Sequence, residues 1–110
     1  MKKQLNFEHN GKEYCLEYTR DSVRQMEREG FSIGDVLEKP MLNLPKLFAG
    51  AFKAHHRFGT KASDIEDIFN KFKNKDALFE KLVEMYNEPM EAMLDEPEDE
   101  GNAIAWEANF

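Results

Sequence analysis

Leu5-Asn6-Phe7-Glu8-His9-Asn10-Gly11-Lys12-Glu13-Tyr14-Cys15-Leu16-Glu17-Tyr18 is the stretch that decides the fold. Apolar and polar residues alternate on both sides of Asn10-Gly11. A type I′ turn needs positive φ at both central residues, and Asn-Gly supplies it, so the two runs pair as a β-hairpin. That turn sets the register. Phe7 opposes Tyr14, Leu5 opposes Leu16 and Lys3 opposes Tyr18, all on one face. Gln4, Asn6, Cys15 and Glu17 fall on the other face, with Glu8 opposite Glu13. A lone two-stranded ribbon with one apolar face is only marginally stable, so the rest of the chain must cover it.

Helices are available to do so. Thr19 or Asp21 caps a first helix over 20–29, with Val23 and Met26 facing inward. Gly30 stands where a left-handed C′ residue is wanted, and Phe31 would then fall on Met26 as in a Schellman ending. Ser32 and Asp35 open a short helical turn over 33–38 with Ile33, Val36 and Leu37, stopping before Pro40. After a loop to Asn43, Leu44, Leu47, Phe48, Ala51, Phe52, His55 and Phe58 recur at helical spacing over 44–58, with Pro45 in the first turn. Lys46, Gly50, Lys53 and Arg57 line the opposite face, and Gly59 ends the helix. Ser63 and Glu66 form a capping box for a helix over 64–73, whose inner stripe is Ile65, Ile68, Phe69 and Phe72. A last helix over 75–94 carries Phe79, Leu82, Val83, Tyr86, Met90, Met93 and Leu94 in phase, with Pro89 inside it where a kink is expected. The expected fold class is α+β: an N-terminal hairpin over 3–18 packed on a bundle of four to five helices. Residues 1–94 form a single domain, followed by a disordered acidic tail over 95–110 that ends in an aromatic peptide.

Charge placement excludes several function classes. The chain of 110 residues carries a net −7, of which residues 95–110 hold −6, leaving a body of −1. Between residues 46 and 81 there are eight Lys and Arg against five acids, too sparse for a nucleic-acid surface, and no aromatic platform accompanies them. No apolar run reaches the length of a bilayer span, and no apolar stretch follows the N-terminal lysines as in a signal peptide. A single cysteine, Cys15, excludes an internal disulfide and suits a reducing cytosol. Nucleic acid and membrane are therefore not expected partners.

Chemistry has few candidates. His55 and His56 are adjacent, so a helix points them about 100° apart and they cannot chelate one ion together. The expected arrangement has His55 packed on the apolar face and His56 in solvent. His9 sits beside the turn without a Cys or carboxylate at ligand spacing. Cys15 lies between Glu13 and Glu17, whose charges oppose thiolate formation. Gly-rich phosphate loops, nucleophile elbows and zinc-protease patterns are absent from the sequence. No catalytic residue, cofactor or metal is expected, and the chain reads as a non-enzyme.

Two features read as interaction surface. Met85, Tyr86, Met90 and Met93 near the proline of the last helix suit a groove that adapts to apolar partners, or else fill the core. Ile104, Trp106 and Phe110 follow the acidic spacer as three large anchors, docking either on a partner or back on their own domain. Lys46, Lys53 and Arg57 offer a basic face that could steer the acidic segment. The hairpin's two potential free edges favour self-association.

The pattern Leu5-x-Phe7, Asn10-Gly11-Lys12-x-Tyr14-x-Leu16-x-Tyr18, Val23-x-x-Met26-Glu27-x-x-Gly30 resembles small tail assembly chaperones of long-tailed phages and of prophages in Gram-positive bacteria. Leu47-Phe48-x-Gly50-Ala51-Phe52 with His55-His56 is similar to the same lineage. The resemblance covers roughly residues 3–58. It implies a non-enzymatic protein of the host cytoplasm, absent from the mature virion, that coats the long helical tape-measure protein and helps recruit tail-tube subunits. It carries no catalytic residues over, and many such proteins also have a longer, frameshifted form. The alternative is an acidic DNA mimic that inhibits a nuclease or restriction enzyme. That role needs carboxylates spread over a rigid face, whereas the acids here concentrate in the tail.

Overall fold

The computed structural model describes residues 3–95, 101 and 103–110. The expected disordered spacer over 95–102 therefore lies outside the described residues except at Asp95 and Gly101. Strands β1 (Leu5–His9) and β2 (Lys12–Leu16) pair antiparallel as a two-stranded sheet. The register places Leu5 opposite Leu16 and Phe7 opposite Tyr14, with Glu8 facing Glu13. Asn10 and Gly11 both have positive φ, 52° and 79°, as the turn requires. Register follows from turn geometry alone, and so the apolar face comes out as expected.

Six helices follow among the described residues: α1 (Arg20–Arg28), α2 (Asp35–Glu38), α3 (Pro40–Gly50), α4 (Lys53–His56), α5 (Ala62–Lys71) and α6 (Lys75–Leu94). The architecture is α+β. Thr19 caps α1, its Oγ1 accepting from the Ser22 N–H at 3.1 Å while the Thr19 N–H donates back to Ser22 Oγ at 2.8 Å. At the other end Gly30 has φ 94°, its N–H reaches Glu27 O at 3.0 Å and the Phe31 N–H reaches Met26 O at 3.0 Å. That pair of bonds is the Schellman ending.

The middle of the chain departs from expectation. The helix anticipated over 44–58 starts four residues earlier and breaks. Pro40 does not only stop α2; it also serves as the first residue of α3, where a missing N–H costs nothing. Asn43, expected in the loop, is buried within α3, and its side-chain amide donates to Lys39 O at 3.0 Å and Asp35 O at 3.3 Å, tying α3 to α2. The break at Ala51–Phe52 has a tertiary cause. The Ala51 N–H turns to Phe48 O, three residues back. Tyr18 Oη then donates to Leu47 O at 2.5 Å and the Glu17 N–H donates to Ala51 O at 3.2 Å. The end of α3 is thus spliced onto β2.

Beyond the break the helical phase changes. Phe58, expected inside, is 97% exposed. The two histidines exchange roles: His56 turns inward beside Tyr14 and Phe52, while His55 is exposed. Gly50, expected on the outer face, is buried, and a Cβ there would collide with the Met26 side chain. α5 likewise begins earlier than the Ser63–Glu66 box implied: Asp64 Oδ2 accepts from the Lys61 N–H at 3.4 Å.

The hairpin face is covered by α3, α4 and α5. Phe7 stacks on Tyr14 with centroids 5.1 Å apart and meets Phe72 edge-on at 4.9 Å. Phe48 contacts Phe52, Phe69 and Phe72 at 5.1–5.3 Å. A second cluster joins Tyr18 and Phe31 to Tyr86 of α6, at 5.3 and 5.6 Å. Leu16, Leu47, Phe48, Ala51 and Leu82 are completely buried. Of the two hairpin edges, that of β2 is occupied: the Cys15 N–H donates to His56 Nε2 at 3.0 Å and the Glu17 N–H to Ala51 O. No helix of the described residues is long and apolar enough to cross a membrane.

Candidate functional site

The last helix departs from its expected stripe. Its buried residues are Leu78, Leu82, Met85, Tyr86 and Pro89, and burial does not continue through Met90, Met93 and Leu94. Met85 and Tyr86 are core residues, and of the anticipated partner-binding set on this helix only Met90 and Met93 reach the surface. Met90 is 49% exposed, Met93 59% and Leu94 75%. The reason is geometric. Pro89 turns inward, and past it the described residues that line the groove beside α6 come from α1 and from residues 30–33.

Those residues help form a groove of about 800 Å³ between α1 and the C-terminal half of α6. Its apolar lining comes from Val23 on α1, Phe31 and Ile33 after the Gly30 turn, and Pro89, Met90 and Met93 on α6. The Schellman ending makes this floor possible, because positive φ at Gly30 folds Phe31 back against Tyr86. Burial first, and then the Glu27 charge, raise the Tyr86 hydroxyl above its ordinary pKa, so it stays protonated at neutral pH.

One wall of the groove is basic. Arg20, Arg24 and Arg28 recur every four residues along α1 and all line the groove, where they outnumber the one acid of its lining, Glu27. Arg24 pairs with Asp21 at 3.2 Å. Arg20 and Arg28 have no carboxylate within salt-bridge distance among the described residues. This stripe escaped the sequence reading, although its i, i+4, i+8 spacing was visible. The basic face anticipated instead, Lys46, Lys53 and Arg57, is largely engaged: Lys53 pairs with Glu29 at 3.0 Å and Arg57 donates to Gln25. The Lys53 ammonium also holds the Glu29 carboxyl below its usual range.

Ile104, Trp106 and Phe110 are 88%, 83% and fully exposed, so the structure does not seat this peptide on its own domain. It therefore brings Tyr86, Met90 and Met93 together in one groove and leaves the three tail anchors apart from it.

Elsewhere, titratable groups are used structurally. Buried Glu17 accepts from Gln4 Nε2 at 3.2 Å and lies 2.5 Å from His55 Nε2. His9 Nε2 lies 3.5 Å from Asp67. Burial, with Lys12 and His55 nearby, lowers the His56 pKa and so favours the neutral ring that accepts from Cys15. Among the described residues, no group of three or more His, Cys, Asp or Glu is placed to hold a metal ion.

A family model described as a domain of unknown function, DUF5055, matches residues 1–110. The chain belongs to the DUF5055 family. No curated protein and no solved structure matches it. Within this DUF5055 chain, the α1–α6 groove is the surface whose chemistry is best defined: an adaptable apolar floor beside a basic wall.

Proposed function

We propose that this DUF5055 chain is a phage tail assembly chaperone that binds the tape-measure protein, keeps it soluble and helps recruit tail-tube subunits. It acts without catalysis or cofactor, in the host cytoplasm, and leaves before the virion is complete. The observation that carries this reading is the α1–α6 groove with Met90 and Met93 exposed in it. A long apolar helical client presents varied side chains along its length, and flexible thioethers repack against such variety at little cost. An i, i+3, i+4 face of a client helix fits a groove walled by two helices. The acidic tail adds like charge to every bound copy, which keeps a coated filament from aggregating. Self-association of the chain is part of the same proposal, because a repetitive client is best covered by copies that contact one another.

Co-expression tests it. A candidate tape-measure protein, made alone and with this chain, is separated into soluble and pelleted fractions. The proposal expects the tape-measure protein to become soluble and to co-purify with several copies of the chain. A tape-measure protein that stays in the pellet, or is soluble without binding, would overturn it.

A further inference from the structure

The groove and the tail are complementary in charge and in apolar character, and among the described residues neither covers the other. We infer that the α1–α6 groove receives residues 103–110 of a second copy of this chain, with Trp106 as the main anchor. This goes beyond the chaperone reading, since it needs two copies and no client; a client helix entering the same groove displaces the neighbour's tail.

Four observations support it. Arg20 and Arg28 stand on the groove wall without carboxylate partners among the described residues, beside an Arg24 engaged by Asp21. The segment carries Glu107 and follows Asp95, Glu96, Glu98, Asp99 and Glu100 in sequence, so the acids outnumber the local bases that must meet them. The anchors are two aromatic residues and an isoleucine, and the floor is Val23, Phe31, Ile33, Met90 and Met93, which accepts flat rings through sulfur–aromatic contact. Finally, Ile104, Trp106 and Phe110 are all exposed, so the occupant is not the chain's own tail. A segment that leaves one copy and enters the groove of the next is a head-to-tail contact, which repeats into a chain of copies rather than closing a symmetric dimer.

The test uses the full chain carrying Trp106→Ala, which has no other tryptophan, and a synthetic peptide of residues 95–110, whose Trp106 is then the sole tryptophan emitter. Titrating the protein into the peptide is expected to shift its emission to the blue and raise its anisotropy to saturation, and added salt should weaken the binding. R20E/R28E should weaken it at least ten-fold. M93Q, which leaves all charges in place, should weaken it several-fold. All of these positions are exposed, and an unchanged circular dichroism spectrum confirms each variant's fold. Sedimentation of the unmodified chain should show association that rises with concentration and is lost in W106A.

Emission that stays at the water-exposed position, or binding indifferent to both groove variants, would overturn the inference. So would a blue-shifted Trp106 in the unmodified chain at dilutions where it sediments as a monomer, because that result assigns the groove to the chain's own tail. Failure of the tape-measure co-expression with success here would remove the chaperone reading and leave this contact standing.

Discussion

Over residues 78–86 the last helix buries Leu78, Leu82, Met85 and Tyr86, the last against Tyr18 and Phe31. From Met90 to Leu94 the same helix presents similar residues to water. The first half contributes Leu78, Leu82, Met85 and Tyr86 to the buried core, with Phe79 and Val83 packed against it. Among the described residues the second half has α1 and the turn after it alongside, and a groove where a further element would fit. The comparison separates two uses of hydrophobicity on one element. Where removal costs stability, the residue is core; where removal costs only binding, it is surface kept apolar for a partner.

Variants in the core and in the groove should therefore behave oppositely. Phe48→Ala removes a fully buried ring that touches three others and should cost about 4 kcal/mol in denaturant unfolding, while half-buried Phe7→Ala should cost about 3 kcal/mol. A loss under about 0.5 kcal/mol at Phe7, the size seen at exposed sites, would mean that the hairpin face is not part of the core.

Tyr18→Phe sharpens the account of why α3 stops. It keeps the ring against Tyr86 but leaves Leu47 O without its hydroxyl donor, and should cost about 1–2 kcal/mol in the same unfolding measurement. An unchanged midpoint would place the cause of the break elsewhere.

Acid titration probes the seam between α4 and β2. The folded-state pKa of His56 lies below its ordinary value, so its contribution is present when the ring is neutral and is lost as pH falls through the lowered value. Thermal midpoints should decline on acidification below about pH 6.5, the unperturbed histidine value. His56→Gln should flatten that decline, because a glutamine carbonyl can accept from the Cys15 N–H without titrating. An identical acid profile in the variant would contradict this role.

The hairpin register and the Gly30 ending were legible in the sequence because each is fixed within a few residues, by turn geometry at Asn10-Gly11 and by the left-handed cap. The break at Ala51 was not, since it depends on Tyr18 and Glu17 donating from the end of a strand 29 residues or more away. From that one tertiary event come the errors at Phe58 and at the two histidines. On α6, periodicity identified an amphipathic helix but could not tell which part of its apolar surface would find neighbours. Leu78 and Pro89 went in while Met93 and Leu94 stayed out, because among the described residues the groove there is lined from α1 and residues 30–33 and is otherwise open. The arginine stripe on α1 was readable in principle, yet its meaning depends on the groove it borders.

The most direct test of this division is the M90Q/M93Q double variant, measured for thermal stability and for binding in parallel. Glutamine keeps the length and helix propensity of methionine while making the groove floor polar. The expected thermal midpoint lies within a few degrees of the parent, corresponding to no more than about 0.5 kcal/mol as for other exposed sites. The same variant should lose at least ten-fold in affinity for both the 95–110 peptide and the tape-measure protein. Undiminished binding, or a loss of stability as large as that of a core variant, would contradict it.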